Sequence, residues 1–172
     1  MIWEGKAPEG TSEFDCLNRL CPQLVELFQD FLSFAVPKGG RFLIEPHPFT
    51  VGMCDKVLIQ LFDELASDHF GITFDFCHYG VGRLNDYIQA IQSLGPRIRH
   101  LHLSDSDLKT SEVHLVSGTG RLDIQSIFKA FKDIGYAGNM ALDLYDNPLP
   151  VSGVNLGISY LKQACETLEI QS

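Results

Sequence analysis

The sequence TFDFCHYG, residues 73–80, places one carboxylate inside an apolar run and a histidine three residues after it. Asp75 stands between Phe74 and Phe76, where burying a charge costs free energy unless the charge is paired or bound to a metal. Successive side chains of a strand point to opposite faces, so a strand here would direct both phenylalanines one way and Asp75 the other. This pattern predicts a sheet with one apolar face and one face that carries chemistry.

Short apolar strands and longer helices alternate on both sides of this stretch. The pattern predicts strands at residues 41–45, 71–77, 97–104 and 138–145, and helices at residues 14–36, 54–70, 81–95, 123–136 and 154–170. Strands that alternate with helices of this length indicate right-handed crossovers and a parallel sheet. We therefore expect an α/β fold in which residues 1–172 form a single domain.

The composition suits a globular chain with a real core, and it excludes several classes of protein. Hydrophobic residues make up 45% of the 172 positions, yet no apolar run approaches the roughly 20 residues of a membrane helix. The start of the chain lacks the pattern of a signal peptide. The five cysteines form no CxxC motif, which favours a reduced, cytoplasmic compartment, and Cys77 is interpreted as a buried, inert thiol. The net charge of −9 disfavours nucleic-acid binding.

Each predicted strand carries an acidic residue or a histidine near its carboxyl end, on the face opposite its large apolar residues. These residues are Glu45, Asp75, His102 and Asp143. The carboxyl ends of parallel strands meet at one edge of the sheet, where ligands bind, so we expect the four side chains to converge. Three carboxylates would repel one another unless a cation lies among them. The set suits Mn²⁺, Mg²⁺, Co²⁺ or Zn²⁺, and the sequence therefore predicts a divalent metal site.

Other polar residues near the strands have simpler interpretations. Asp105 and Asp146 directly follow predicted strands and are interpreted as loop or cap residues. His100 points to the same face as His102 but lies deeper, so we expect a packed, hydrogen-bonded core residue. His69 lies at the end of a predicted helix and is assigned a structural role. The long loop after the third strand, residues 105–122, is of a length that is usually functional or disordered.

Five motifs in this order, FLIEPHP, FDFCHYG, HLHLSDSD, GTGRLDI and MALDLYD, resemble the xylose isomerase-like TIM barrels over roughly residues 10–165. That superfamily contains sugar isomerases and epimerases, inosose dehydratases and isomerases, and endonuclease IV-type AP endonucleases. The resemblance implies a (β/α)8 barrel, which takes about 250 residues. This chain has about four predicted strands, so we expect a partial barrel that corresponds to the C-terminal half, strands five to eight.

The resemblance also implies roles for individual residues. Glu45, Asp75, His102 and Asp143 match metal ligands of the family, and Glu45 and Asp143 match its acid–base pair. His78 matches a histidine that contacts substrate or metal, and it joins these two carboxylates as a candidate catalytic residue. Sugar epimerases usually have a glutamate where this chain has Asp143. The shorter side chain affects two-base chemistry more than metal binding.

Further residues of the resemblance leave alternatives open. His47 could line a substrate pocket or could be an ordinary loop histidine. Glu112 and His114 resemble extra zinc ligands of the endonuclease branch, but we expect them to lie in a solvated loop. The GTG sequence at residues 118–120 resembles a GxG loop of the family, and as a phosphate-binding motif it is weak evidence alone.

Three functions are consistent with these expectations. The first is a metal-dependent isomerase or epimerase, or a related dehydratase, which removes a proton next to the carbonyl of a sugar or polyol. The second is a zinc phosphodiesterase similar to endonuclease IV. The third is a catalytically incomplete remnant that binds metal. An open sheet exposes two edges and one face, which favours a homodimer that completes the sheet.

Overall fold

The computed structural model describes residue 12 and residues 15–84, 86–147 and 150–168. The strands are β1 (Phe42–Ile44), β2 (Phe70–Asp75), β3 (Ile98–Leu103) and β4 (Asn139–Leu142). The helices are α1 (Cys21–Ala35), α2 (Asp55–Leu65), α3 (Phe76–Gly82), α4 (Tyr87–Leu94), α5 (Ile124–Asp133) and α6 (Pro150–Thr167). Within these described residues, no helix is both long enough and apolar enough to cross a membrane.

The four strands form one parallel sheet in the order β1-β2-β3-β4. Neighbours in the chain are therefore neighbours in the sheet, and helices connect them on one side. This arrangement confirms the predicted parallel α/β architecture, and it is the one that consecutive β/α units of a barrel adopt. Among the described residues, β1 and β4 are the two edge strands.

The core lies between the sheet and the helices, on what we call the outer face. Ile72, Phe74 and Leu101 point to this face and are fully buried. The ring of Phe74 stacks on Tyr79 with a centroid distance of 3.8 Å and meets the ring of Phe131 edge-on at 5.5 Å. Burial of these apolar side chains is the main term that holds the helices against the sheet.

Several element boundaries differ from the prediction: the helix predicted at residues 54–70 ends at Leu65, the strand predicted at residues 138–145 ends at Leu142, and Asp75 accounts for a third difference. Residues 71–77 are not one strand, because β2 ends at Asp75 and α3 begins at Phe76. The Asp75 carboxylate caps α3 by accepting a hydrogen bond from the backbone amide of His78 at 2.8 Å. Residues 81–95 are not one helix either, because α3 ends at Gly82 and α4 begins only at Tyr87. Helix α1 begins at Cys21, next to Pro22, and a π-helical turn at Cys16–Leu20 precedes it.

The opposite side of the sheet, the inner face, is open. Leu43 is 40% exposed there, and Arg99 and His100 are only partly covered. A groove of about 540 Å³ runs along this face between Arg41, Leu43, Arg99, His100 and Asn139. The prediction of a packed core histidine at position 100 is therefore wrong, because four strands do not enclose the interior that a closed barrel fills with side chains.

Candidate metal centre

The strand register brings the four predicted ligands to one place at the carboxyl edge of the sheet. His102 pairs directly with Asp75 across β2 and β3. Asp143 directly follows β4, and its amide extends the sheet by donating to the carbonyl of Leu103 at 3.0 Å. Glu45 directly follows Ile44, the last residue of β1. One polar residue at each strand end is thus enough to build a cluster.

The ligand atoms of Glu45, Asp75, His102 and Asp143 all lie within 4.8 Å of one another. Nδ1 of His102 is at the centre of the cluster. It lies 2.9 Å from Oε1 of Glu45, 3.7 Å from Oδ2 of Asp75 and 3.5 Å from Oδ2 of Asp143. Atoms at these separations can bind one cation together, since metal–ligand distances for N and O atoms are about 2.0–2.2 Å.

Asp75 has an unusual environment for a carboxylate. Its side chain is 0% exposed, and Oδ2 has no hydrogen-bond partner among the described residues. Burial raises the pKa of Asp75 to about 7, against the lowering effect of the nearby His114. A buried acceptor without a partner costs free energy, and such groups in native structures call for an explanation. A bound cation would supply the missing partner.

Glu45 and His102 form a hydrogen-bonded pair beside this carboxylate. Burial is the largest single effect on Glu45 and raises its pKa, but the hydrogen bond from His102 and the nearby imidazoles of His102 and His78 together outweigh burial, so the pKa of the glutamate is lowered. The same bond raises the pKa of His102. Glu45 is therefore ionised at neutral pH, as both a metal ligand and a proton acceptor need to be.

His114 belongs to this cluster, so the prediction of a solvated loop is wrong for this residue. Its side chain is only 2% exposed, and Nδ1 lies 3.5 Å from Oδ1 of Asp143 and 3.9 Å from Oδ2 of Asp75. The contact with His114 lowers the pKa of Asp143 to about 2. Neither ring nitrogen of His114 has a hydrogen-bond partner in the described part of the chain. Its neighbour Glu112 is exposed, as expected for a loop.

His78 and His47 extend the cluster on the other side. Nδ1 of His78 lies 3.7 Å from Oε1 of Glu45 and 3.8 Å from Oδ1 of Asp75. Burial lowers the pKa of His78 to about 3, so its ring is neutral at pH 7. The ring of His47 packs on that of His78 at 3.8 Å, and its Nδ1 lies 3.7 Å from Oε1 of Glu112. Of the two interpretations of His47, the structure favours the pocket residue.

These side chains surround a cavity of about 270 Å³. Its lining consists of Glu45, His47, His78, His102, Glu112, His114, Asp143 and Tyr145. The sequence analysis did not identify Tyr145 as a site residue. Its position two residues after Asp143 was the available signal, because residues two apart in an extended chain lie on the same face. Asp75 is not part of this lining, and its side chain is fully buried. The arrangement offers carboxylate and imidazole atoms to a small polar molecule and to a cation at once.

The other residues singled out in the sequence lie away from the cluster or support it. Cys77 is buried, and burial raises the pKa of its thiol to about 12, in agreement with an inert role. His69 contacts the carbonyl of Gly40 through Nδ1 at 2.9 Å, which is a structural contact. Asp146 lies exposed in the loop after β4. Asp105 is a loop residue, as predicted, but it is fully buried.

A divalent metal fits the donor set of Glu45, Asp75, His102 and Asp143. Three carboxylates and one imidazole provide ligands that Mn²⁺, Co²⁺, Mg²⁺ and Zn²⁺ accept. The unpaired Oδ2 of Asp75 faces the other ligand atoms rather than solvent. Two further groups of ligand atoms overlap this one, namely Asp75, His78 and His114, and His47, His78 and Glu112.

Comparison with known proteins identifies the fold. The chain is 24% identical over 166 residues to an inosose dehydratase of Klebsiella pneumoniae, covering 86% of this chain and 55% of that protein. A solved D-tagatose 3-epimerase-like protein superposes with a TM-score of 0.73 at 23% identity, covering 95% of this chain and 62% of that structure. An IOLI protein solved with a bound zinc atom gives a TM-score of 0.73 at 16% identity, with 95% and 61% covered.

The chain spans about half the length or less of the curated relatives it matches, for example 40% of an uncharacterised protein of Methanocaldococcus jannaschii and 55% of the dehydratase. The four β/α units described above therefore correspond to part of a barrel. The family described as "Xylose isomerase-like TIM barrel" matches residues 2–164. The chain belongs to the xylose isomerase-like TIM barrel family, and it folds as a partial barrel of that family.

Proposed function

We propose that this chain carries the metal-binding half of a sugar or polyol isomerase or epimerase that works by removing a proton next to a carbonyl. The observation that carries the proposal is the convergence of Glu45, Asp75, His102 and Asp143 around an unpaired, fully buried carboxylate oxygen. The epimerase and dehydratase names among the similar proteins support the substrate class. The zinc in the IOLI structure supports the cofactor class.

The four residues would hold one divalent metal, which lowers the free energy of the negative charge that develops when a proton leaves the carbon beside a carbonyl. Glu45 is proposed to accept that proton. Its hydrogen bond with His102 keeps the carboxylate ionised and fixes its direction. Asp143, or a water molecule bound to it, would return a proton to the other side of the same carbon.

His78 and His47 are proposed to bind substrate hydroxyl groups. The ring of His78 is neutral, so one of its nitrogens donates and the other accepts a hydrogen bond. The cavity of about 270 Å³ is slightly smaller than the roughly 300–1,000 Å³ of typical ligand pockets, which suits a small molecule. A dehydratase would use the same first step and then expel a hydroxyl group next to the new carbanion.

Exchange of substrate hydrogen with solvent tests this proposal directly. We would incubate the protein, loaded with Mn²⁺ or Co²⁺, with a panel of ketoses and inososes in D₂O. The expected result is deuterium at the carbon next to the carbonyl of one substrate class, detected by mass spectrometry and NMR. Glu45→Gln should remove this exchange while metal binding is largely retained, because glutamine keeps the carbonyl oxygen as a ligand.

Asp63→Asn provides the control, since this exposed carboxylate pairs with Arg97 on the helical side of the sheet. It should leave exchange unchanged. Metal binding without exchange on any substrate would contradict the enzyme proposal and favour the catalytically incomplete remnant. A folded protein that binds no divalent metal would contradict the proposed ligand set itself.

A zinc phosphodiesterase is the second candidate, because a second group of ligand atoms lies beside the first. His47, His78 and Glu112 form this group, with Glu112 on the rim of the cavity. Binding of two or more zinc ions per chain, measured by native mass spectrometry, together with cleavage of DNA at abasic sites, would favour it. The net charge of −9 argues against it, since phosphate backbones are bound by clustered Lys and Arg.

Two further proposals concern the setting of the protein. Cys21, Cys54, Cys77 and Cys165 are free thiols, which supports a cytoplasmic location. We also propose a homodimer in which a second copy covers the open inner face. Exposed Leu43 on the inner face supports it. The edge strands β1 and β4 could also pair with strands of the second copy, which would complete the sheet.

A further inference from the structure

Asp105, directly after the serine that follows β3, holds the long loop of residues 105–122 through its side chain. The residue is 1% exposed. Its Oδ1 accepts hydrogen bonds from the backbone amides of Ser106 at 2.8 Å and Leu122 at 3.0 Å. Its Oδ2 accepts from the amides of Gly118 at 3.0 Å and Gly120 at 2.9 Å. One carboxyl group thus joins the first and the last residues of the loop.

The backbone of Asp105 fixes the middle of the same loop. Its amide donates to the carbonyl of Leu115 at 2.7 Å, and the amide of Leu115 donates back at 3.0 Å. His114, the preceding residue, is held from the other side, where its carbonyl accepts from the side-chain amide of Asn147 at 3.2 Å. The position of His114 therefore depends on contacts that converge on Asp105 and on the segment after β4.

The two glycines of the GTG sequence are required by this arrangement. Gly118 has a φ of +90°, a backbone conformation that residues other than glycine rarely adopt. A Cβ atom on Gly120 would collide with Oδ1 of Asp105. Both amides are directed at a carboxyl group of the protein itself, so they are not available to a phosphate. The GTG sequence therefore has a structural role, because its amides bind the carboxyl group of Asp105. This role replaces the phosphate-binding interpretation.

We propose that Asp105 is a positioning residue of the site, which holds His114 against the carboxylates of Asp75 and Asp143 through the loop. His114 contacts these two carboxylates at 3.9 Å and 3.5 Å, whereas Asp105 itself lies outside the ring of ligand atoms. The inference rests on the proposed function only in that Asp75 and Asp143 are taken as metal ligands. The position of His114 can be measured without any metal.

The test uses Asp105→Asn, with Asp107→Asn as its matched control. Asparagine has the same size but only one acceptor oxygen, so at least two of the four amides lose their partner and face an NH₂ group. Asp107 lies in the same loop and also accepts from backbone amides, at Lys109 and Thr110, but it is only partly buried and its contacts are with residues two and three positions away. A general effect of losing an aspartate in this loop would affect both variants.

The first measurement is the rate at which diethyl pyrocarbonate modifies His114 in metal-free protein, read by peptide mass spectrometry. We expect a several-fold faster reaction in Asp105→Asn than in the parent chain or in Asp107→Asn. His69, held far from the loop by the carbonyl of Gly40, serves as the internal reference for overall unfolding. Unchanged protection of His114 in folded Asp105→Asn would overturn the inference, whatever the metal does.

The second measurement is the affinity for Co²⁺ in Asp105→Asn, His114→Gln and the double variant. Substitution of residues that hold metal ligands in place typically lowers metal affinity by about 10- to 100-fold. We expect about tenfold weaker Co²⁺ binding for each single variant. If Asp105 acts through His114, the double variant should bind no more weakly than His114→Gln. Additive losses would overturn the inference, because Asp105 would then act by another route.

These experiments distinguish failure of the proposed metal site from failure of the proposed role of Asp105. Failure of the parent chain to bind Co²⁺ would remove the proposed metal ligands, and the modification rate of His114 would then decide the role of Asp105 alone. If Asp105→Asn does not fold, Gly120→Ala replaces it, because the added methyl group would collide with the carboxyl group of Asp105 and with the backbone carbonyl of Ser106, and so disrupts the same contacts while Asp105 stays in place. That variant should expose His114 in the same way, and a protected His114 there would contradict the inference.

Discussion

Phe74 and Asp75 follow one another in β2 and are both 0% exposed, yet they point to opposite faces of the sheet. On the outer face, Phe74 packs among the rings of Tyr79 and Phe131. On the inner face, Asp75 presents an oxygen that has no hydrogen-bond partner among the described residues. Equal burial therefore has opposite energetic consequences at two adjacent positions.

The comparison shows how this fold can carry a cluster of charges at all. Removing apolar surface from water stabilises the folded chain by about 25 cal/mol per Å², whereas burying a carboxylate without a partner costs free energy. Apolar burial on the outer face therefore offsets the free-energy cost of the buried carboxylates on the inner face. Function and stability are thus divided between the two faces of the same strands, and substitutions at neighbouring positions can separate them.

The largest expected effect lies on the outer face. Phe74→Ala should lower the free energy of unfolding by about 3–5 kcal/mol, because a buried aromatic ring is removed and a cavity remains. Urea denaturation followed by circular dichroism measures it. Phe34→Ala is the control, since this exposed ring should cost about 0.5 kcal/mol or less. A loss below about 1 kcal/mol for Phe74→Ala would contradict the division between the faces.

Asp75→Asn should produce the opposite result, a loss of metal binding with little loss of stability. Asparagine is as good a helix cap as aspartate, so the bond from the amide of His78 is retained. Affinity for Mn²⁺ or Co²⁺, measured by calorimetry, should fall about 100-fold or more, at least as much as support residues cost. Asp123→Asn is the matched control, because Asp123 caps α5 in the same way outside the site.

The stability of metal-free protein should depend on pH through Asp75. Its pKa is about 7 in the folded chain and about 3.9 when unfolded, so between these values the folded state binds the extra proton. Stability relative to Asp75→Asn should therefore fall as the pH rises from about 4 to 7, by about 1.4 kcal/mol per unit at most. Melting temperatures of both proteins in a chelator measure this, and parallel curves would contradict it.

Much of the fold could be predicted from the sequence, because two periodicities specify it. The apolar alternation of β2 and β3 and the helical spacing between strands were enough to predict a parallel sheet and the edge where polar residues meet. The four predicted ligands lie together at that edge. Their roles as ligands and acid–base groups, and the extent of one domain over residues 1–172, stay predictions.

Contacts that depend on distant parts of the chain were less predictable. His114 lies in a polar loop whose contacts are with distant residues, namely the bonds of Asp105 on both sides of it and the bond from Asn147 to its carbonyl. The end of β2 at Asp75 depends on a side chain that caps a helix, which a strand-like run of aromatic residues concealed. His100 was expected to be packed, because periodicity gives the face of a residue but not what covers that face.

The smallest expected effect concerns the open inner face, where Leu43 is 40% exposed. If a second copy covers this face, Leu43→Lys should convert a dimer into a monomer, because it places a charge where the copies meet. The free energy of unfolding of the monomer should change by only about 0.5 kcal/mol, as for other exposed positions. Sedimentation equilibrium measures the mass, and Leu27→Lys is the control, since Leu27 is 41% exposed on the helical side. A monomeric parent chain would contradict the dimer, and dissociation by Leu27→Lys alone would place the contact on the helices instead.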